Sequence, residues 1–132
     1  MMWLDIHPGW EREVKKTAAA TKKWIRKKLS EGTLVGFIVK DDDGKVAGSG
    51  CVWMREEQPR PNNPRQVVPY IMSIYTEKRF RHMGVAKMVM KAAIRWCREN
   101  GYERVVLHAS DEGKPLYESF GFEPGREMRL TL

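Results

Sequence analysis

Residues 9–31, GWEREVKKTAAATKKWIRKKLSE, place Trp10, Val14, Thr17, Ala18, Thr21, Trp24, Ile25 and Leu29 on one side of a helical repeat, with lysines and arginines opposite. This pattern predicts an amphipathic helix that packs on a core. Pro8 stands near its start, Glu11 and Glu13 lie early, Lys27 and Lys28 lie late, and Gly32 marks the stop, all in agreement with the helix dipole. The period then changes. TLVGFIVK and KVAGSGCVWM are strand-like runs on either side of DDDG, an Asp-Gly turn signal that predicts a β-hairpin. Residues 56–66, EEQPRPNNPRQ, are polar and hold three prolines, which cannot donate to a sheet ladder, so they predict a surface loop. VVPYIMSIYT, residues 67–76, has almost no polar alternation and predicts a central strand covered on both faces, with Pro69 near its start where the missing N–H is tolerated.

A second amphipathic helix is predicted over 84–100, where Val85, Met88, Val89, Ala92, Ala93 and Trp96 oppose Lys87, Lys91, Arg95 and Arg98, and Asn100-Gly101 ends it. RVVLHAS reads as a short buried strand, KPLYESFGF as a short helix closed by Gly121, and REMRLTL as a terminal strand with Met128, Leu130 and Leu132 inward. There is no internal repeat or low-complexity segment. The strands at 67–76 and 104–110 flank a crossover helix, which predicts that they run parallel with a right-handed connection. The turn RFRHMGVAK, residues 79–87, then falls at the carboxyl end of the first strand and the amino end of the helix, where open α/β sheets bind ligands.

Composition narrows the partners. The 132 residues fit one domain, 1–132, and 42% hydrophobic with 31% charged residues is ordinary for a folded globular chain. A net charge of +7 and a pI near 9.6 point to an anionic partner: nucleic acid, a membrane surface or a small polyanion. The aromatics do not interleave with the basic residues as a stacking platform would, and no nucleic-acid motif appears, so nucleic acid is not expected. No apolar stretch reaches ~18 residues and the N-terminus lacks a signal-peptide run, so the expected compartment is the cytoplasm, with no membrane partner. Cys51 and Cys97 form no CxxC or Cys/His cluster and read as reduced core thiols, with neither a disulfide nor a metal site. By charge alone the basic turn is a solvated surface, but Gly84 at a helix mouth also makes an anion cradle.

Two segments carry a resemblance. Arg81-His82-Met83-Gly84-Val85-Ala86 fits Arg/Gln-x-x-Gly-x-Gly/Ala, and Leu116-Tyr117-Glu118-Ser119-Phe120-Gly121-Phe122 looks like LYexxGF. In this order and separation they make residues 33–132 resemble the GNAT superfamily of acyl-CoA-dependent N-acetyltransferases. The resemblance implies an α/β (α+β) fold: a mixed, mostly antiparallel sheet with a central parallel strand pair, flanked by helices. The family's first strand and helix have no counterpart before the helix at 9–31, so the N-terminus looks truncated or rebuilt. Two departures stand in the motifs: Lys78 where the family often has proline, and Ser110 where it often has asparagine.

The implied cofactor is acetyl-CoA. Its pyrophosphate would meet the N–H groups from His82 through Met83, Gly84, Val85 and Ala86, with Arg81 and Lys87 adding positive potential. The implied reaction is acetyl transfer by direct attack of a primary amine, on a small molecule or a peptide. Backbone around Ile74 and Tyr75, with Thr76 beside them, is where the family supplies a donor to the developing oxyanion. Tyr117 matches the family's general-acid tyrosine; its other reading is aromatic packing beside Leu116 and Phe120. For the base, Glu77 is a candidate, with a plain surface carboxylate as its equal alternative. Ser73 and Tyr70 are placed to orient substrate or water, and His108 reads as a satisfied core histidine rather than a base. Two other readings are a CoA-binding domain without turnover and, less favoured, a basic nucleic-acid module. A homodimer is also expected, in which a partner or residues 1–6 cover an open sheet edge.

Overall fold

A computed structural model of the chain describes residues 9–132. Helix α1 spans Glu11–Glu31 and ends where Gly32 and Thr33 donate to the carbonyls of Leu29 and Lys28, at 3.2 and 3.0 Å. This reciprocal pair satisfies two carbonyls that a helix end otherwise leaves without partners. Strands β1, Leu34–Lys40, and β2, Val46–Glu56, form the antiparallel hairpin predicted around DDDG. Asp41 organises its turn, because one carboxylate oxygen accepts from the backbone N–H groups of Asp43 (2.9 Å) and Lys45 (2.8 Å).

Strand β3, Val67–Thr76, pairs antiparallel with β2 along one edge and parallel with β4, Val106–Leu107, along the other, giving the sheet order β1-β2-β3-β4. Helix α2, Val85–Glu99, crosses between the two parallel strands, and helix α3, Lys114–Ser119, follows β4. The fold is thus the expected mixed sheet, antiparallel except for one parallel pair, flanked by helices. Val52, Ile71, Met90, Ala93 and Cys97 form the buried cluster between the sheet and α2. The second expected core thiol, Cys51, is only half-buried, on the strand face away from Val52; burial pushes the thiol pKa up at both positions.

Close contact between α2 and β2 depends on two glycines. A Cβ at Gly48 would lie 2.5 Å from Val85 Cγ1 and 2.8 Å from the Tyr75 carbonyl oxygen, and one at Gly50 would lie 2.5 Å from Ile74 Cδ1 and 2.6 Å from Val89 Cγ1. Side chains there would lift the helix off the sheet.

Three expectations need correction. Strand β4 covers two residues rather than the seven of RVVLHAS. Residues 126–132 form no strand: Met128 and Leu130 are 93% and 81% exposed and Leu132 fully so. Their alternation fits a strand, but a strand exists only where a neighbour completes its hydrogen bonds, and no described residue pairs with them. Helix α1 buries only Val14 of its apolar face, while Trp10 and Leu29 stay about half exposed, because the helix rests chiefly on β1 and reaches β2 through the edge-on contact of Trp24 with Trp53. The expected cover of a sheet edge by residues 1–6 lies outside the described residues.

The loop after β2 is pinned by Glu57. Its carboxylate accepts from Asn63 Nδ2 (2.8 Å) and from Arg104 Nη2 (2.8 and 3.0 Å), which ties the proline-rich segment to the chain entering β4. The Asn63 hydrogen bond, then the charges of Arg104, Arg60 and Arg55, hold this carboxyl below its usual range against partial desolvation.

Two outcomes follow from the packing and the pin. Gly48→Ala is expected to cost about 1–3 kcal/mol, because Val85 and the Tyr75 carbonyl must both move, and urea unfolding measures it. An unchanged midpoint and slope would show that the helix relaxes freely. For Glu57 the folded pKa is depressed, so its contribution is present above the ordinary carboxylate pKa and is lost as pH falls through the folded value. Amide exchange in 57–66, corrected for intrinsic rates, should accelerate on that acid side, and Glu57→Gln should show the faster exchange at neutral pH; pH-independent protection would contradict the pin.

Candidate functional site

Beyond β3 the chain makes a short 3-10 turn, Lys78–Phe80, and then enters α2 through His82, Met83 and Gly84. His82 (φ 65°) and Gly84 (φ 79°) both adopt left-handed backbone, a conformation costly for most L-residues and free for glycine. The segment is exposed from Arg81 to Gly84, and no atom lies within 4 Å of the position a Gly84 Cβ would take. Val85, Ala86 and Lys87 supply the first-turn amides of α2, donors that no preceding turn of helix can satisfy. First-turn amides with the positive end of the helix dipole behind them are the kind of donors that an anion of phosphate size can meet.

The cations around the turn are more engaged than their number suggests. Arg81 Nε donates to the Thr76 carbonyl at 3.2 Å, and its guanidinium lies 5.8 Å from the Tyr75 ring centre. Arg79 sits 3.8 Å from the Asp41 carboxylate and stacks over Phe80. Arg81 therefore braces the end of β3 against the turn, whereas Lys87 is exposed on the first turn of α2.

Beside the turn, β3 carries an irregularity. Ser49 pairs with Tyr75 and Cys51 with Met72, so one extra β3 residue is accommodated opposite Gly50, where Ser73 has φ 58°. Pairing with β4 stops at Ile71, and from Met72 to Thr76 the outer edge of β3 has no strand partner among the described residues. Ile74, Tyr75 and Thr76 thus lie beyond the pairing with β4, on the part of β3 that leads into the glycine turn.

Tyr117 comes to the same region from α3. Its ring packs, as does Ile74, against the cluster of Val52, Ile71 and Met90, and meets Phe122 at 6.2 Å between ring centres. It also lies close over the Gly113 backbone, where a Cβ would be 2.8 Å from Tyr117 Cε2. Burial raises the Tyr117 pKa above the ordinary phenol value, so the hydroxyl holds its proton at neutral pH. Ser110 is exposed, and its Oγ accepts from the Gly113 N–H at 3.1 Å, which shapes the entry to α3. Glu77 is exposed, past the end of β3, with its backbone N–H bonded to the Ala47 carbonyl at 2.8 Å. No contact joins its carboxylate to Tyr117.

The sheet face away from α2 holds a set of residues that reading along the chain did not assemble. Trp24 meets Trp53, Trp53 meets Tyr70, and Tyr70 meets His108, all edge-on, with ring centres 5.3, 6.3 and 5.4 Å apart. The Tyr70 hydroxyl is 2.6 Å from His108 Nδ1, and His108 Nε2 is 3.8 Å from Glu127 Oε2. His108, expected in the core, is instead half exposed. A signal was present: Ile71 and Leu107 are both core residues in paired register, so their neighbours Tyr70 and His108 must share the opposite face.

Comparison with known proteins agrees with this geometry. The sequence model of the acetyltransferase (GNAT) family matches residues 2–122. A glucosamine 6-phosphate N-acetyltransferase of Trypanosoma brucei brucei is 28% identical over 102 residues, covering 76% of this chain and 67% of that protein. N-acetyltransferase 8 of Rattus norvegicus is 24% identical over 135 residues, covering 99% of this chain and 59% of that protein. The chain thus spans about two thirds of the first relative's length and less of the second's. A solved structure of a predicted acetyltransferase with acetyl-CoA, from Clostridium acetobutylicum, shares the fold with a TM-score of 0.79 at 22% identity, over 88% of this chain and 75% of that one.

Proposed function

Because this chain belongs to the acetyltransferase (GNAT) family, we propose that it transfers an acetyl group from acetyl-CoA to a primary amine by direct attack. The observation that carries the reading is the glycine turn: left-handed His82 and Gly84, open space above Gly84, and the first-turn amides of a helix that begins just past the part of β3 lying beyond its pairing with β4. That combination suits a pyrophosphate linked to a group lying along β3, and acetyl-CoA when bound supplies the activated thioester.

His82, Met83, Gly84, Val85 and Ala86 would hold the pyrophosphate through backbone N–H groups, with Lys87 adding charge and Arg81 keeping the turn in place. The backbone of Ile74, Tyr75 and Thr76 would lie beside the thioester, and a strand N–H there would donate to the oxygen as negative charge develops on it. Tyr117 would give its proton to the departing sulfur as the nitrogen–carbon bond forms and the carbon–sulfur bond breaks, and the proton lost from the acylated nitrogen would restore the phenol. A phenol pKa raised by burial suits that role, since the group must be protonated beforehand and still find a basic thiolate to receive the proton. Glu77 is exposed, past the strand end, and of its two readings we adopt the surface carboxylate rather than the base. A compact phosphosugar amine is the first acceptor class to test, given the trypanosome relative's name.

The test has two parts. Acetyl-CoA should raise the melting temperature, since a ligand bound only by the folded state at a hundred times its dissociation constant stabilises by about 2.7 kcal/mol. Gly84→Glu, which puts strain and a like charge where phosphate belongs, should abolish the shift; no shift in the wild type at millimolar cofactor would sink the cradle. Thiol release is then measured with a panel of glucosamine 6-phosphate, an aminoglycoside, a peptide with a free N-terminus and an N-blocked lysine peptide. Cofactor binding with no release from any of them would favour a binding domain without turnover.

Tyr117→Phe keeps the ring against Phe122 and removes only the donor. Turnover with the best panel amine should fall about 10²-fold, the lower end for general acid catalysis, with the acetyl-CoA thermal shift retained. Unchanged turnover would assign Tyr117 to packing alone.

A further inference from the structure

The geometry points to a proton relay from Tyr70 to His108, backed by Glu127, that removes the proton of the incoming amine on the sheet face opposite α2. The inference rests on the acetyl-transfer reading and supplies the base that this reading lacks. An alkyl ammonium, with a pKa near ~10, cannot attack until it is deprotonated, so a group on the acceptor side must take the proton.

Position comes first. Tyr70 and Ile71 are the last β3 residues paired with β4, and His108 directly follows the last paired residue of β4, so the Tyr70–His108 contact bridges the two strands where they part. From Met72 onward β3 runs on beyond its pairing with β4. Helix α2 and the core fill the other face, while on this one α1 rests chiefly on β1 and meets the aromatic row at Trp53, so the proposed approach of the acceptor is beside Tyr70 and His108.

The contact's chemistry is directional. Glu127 Oε2 lies 3.8 Å from Nε2 and favours the imidazole tautomer with its proton on Nε2, so that Nδ1 accepts from the Tyr70 hydroxyl at 2.6 Å. The ammonium N–H then gives its proton to Tyr70 Oη while the Tyr70 proton passes to Nδ1. The amine ends neutral, Tyr70 ends as it began, and His108 ends as an imidazolium facing the Glu127 carboxylate. Among the described residues, three charged or titratable groups face Tyr70: Arg55 from β2, 5.0 Å from the ring centre, His108 after β4, and Glu127 from the C-terminal segment. Burial first, then Glu127, raises the Tyr70 pKa against the opposing Arg55, which suits a hydroxyl that relays a proton rather than one that starts as an anion.

The experiment uses the full chain with Tyr70→Phe, His108→Ala and the double variant, and the panel amine that gives the fastest thiol release. Each single variant should lower kcat/KM about 10²-fold and move the acidic limb of its pH profile, while the acetyl-CoA thermal shift stays as in the wild type. The double variant should be no worse than the singles, because both remove one relay. Imidazole nitrogen NMR of the unliganded wild type should show Nδ1 as a hydrogen-bonded acceptor, and Tyr70→Phe should remove that signature. A proton resident on Nδ1 overturns the relay, as do variants that keep wild-type kcat/KM and the same acidic limb while the wild type turns over. A wild type that binds acetyl-CoA and acetylates none of the panel amines overturns acetyl transfer itself, and the relay with it.

Discussion

The seating of α2 on β2 is the constraint from which the rest of the arrangement follows. Val85 and Val89 descend onto Gly48 and Gly50, where any side chain would meet heavy atoms at about the length of a hydrogen bond. Val89 and Met90 are fully buried as a result, and the helix's first turn is held against the end of β3. Had the two glycines been alanines, the helix would stand off by part of an ångström or more. The amides of Val85 to Lys87 would then lie farther from the end of β3. Packing density inside the core and the reach of the glycine turn are therefore one problem solved by the same contacts.

The electrostatic character of the turn also differs from a count of its charges. Of the cations between Lys78 and Lys87, Arg79 is drawn to Asp41 in the β-hairpin turn, and Arg81 is spent on the Thr76 carbonyl and the Tyr75 ring. Beside these exposed side chains the turn presents backbone shaped by two left-handed residues. Backbone donors fixed by a helix pay little entropy to meet an anion, whereas long basic side chains must be ordered first. The net charge of +7 supplies a long-range field, and the turn supplies the fixed geometry.

The sheet separates two kinds of surface. On the α2 side lies a dry cluster of Val52, Ile71, Met90, Ala93 and Cys97, with Tyr117 at its margin. On the other side an aromatic row runs from Trp24 to His108, half open, and ends in a carboxylate. Strands β3 and β4 part between them, so one gap in the sheet has a proton-holding phenol on one face and a hydrogen-bonded phenol–imidazole pair on the other. Two chemically opposite environments across one strand are a consequence of alternation: neighbours Tyr70 and Ile71 point to different sides.

The local elements were legible from the chain because they depend on local physics. The period of residues 9–31 and 84–100, the Asp-Gly turn, the prolines of the loop and the long apolar strand at 67–76 each specify their own conformation, and the strand–glycine turn–helix order placed Gly84 at a helix mouth. Less legible was anything that depends on a distant partner. The alternation of Met128, Leu130 and Leu132 suggested a strand, yet pairing needs a neighbour, and no described residue pairs with them. Helix α1 has an apolar face, but the surface available to it covers only part of that face. Gly48 and Gly50 read as ordinary strand residues until α2 was laid across them, and His108 read as a core residue until the parallel register put it beside Tyr70, 38 positions away. The sequence by itself determined the elements, their order and the glycine turn, since backbone preference and hydrophobic period act within a few residues. Only the tertiary structure decided which side chains meet across the sheet, because strand register and the closeness of helix to sheet are set by contacts between residues far apart in the chain.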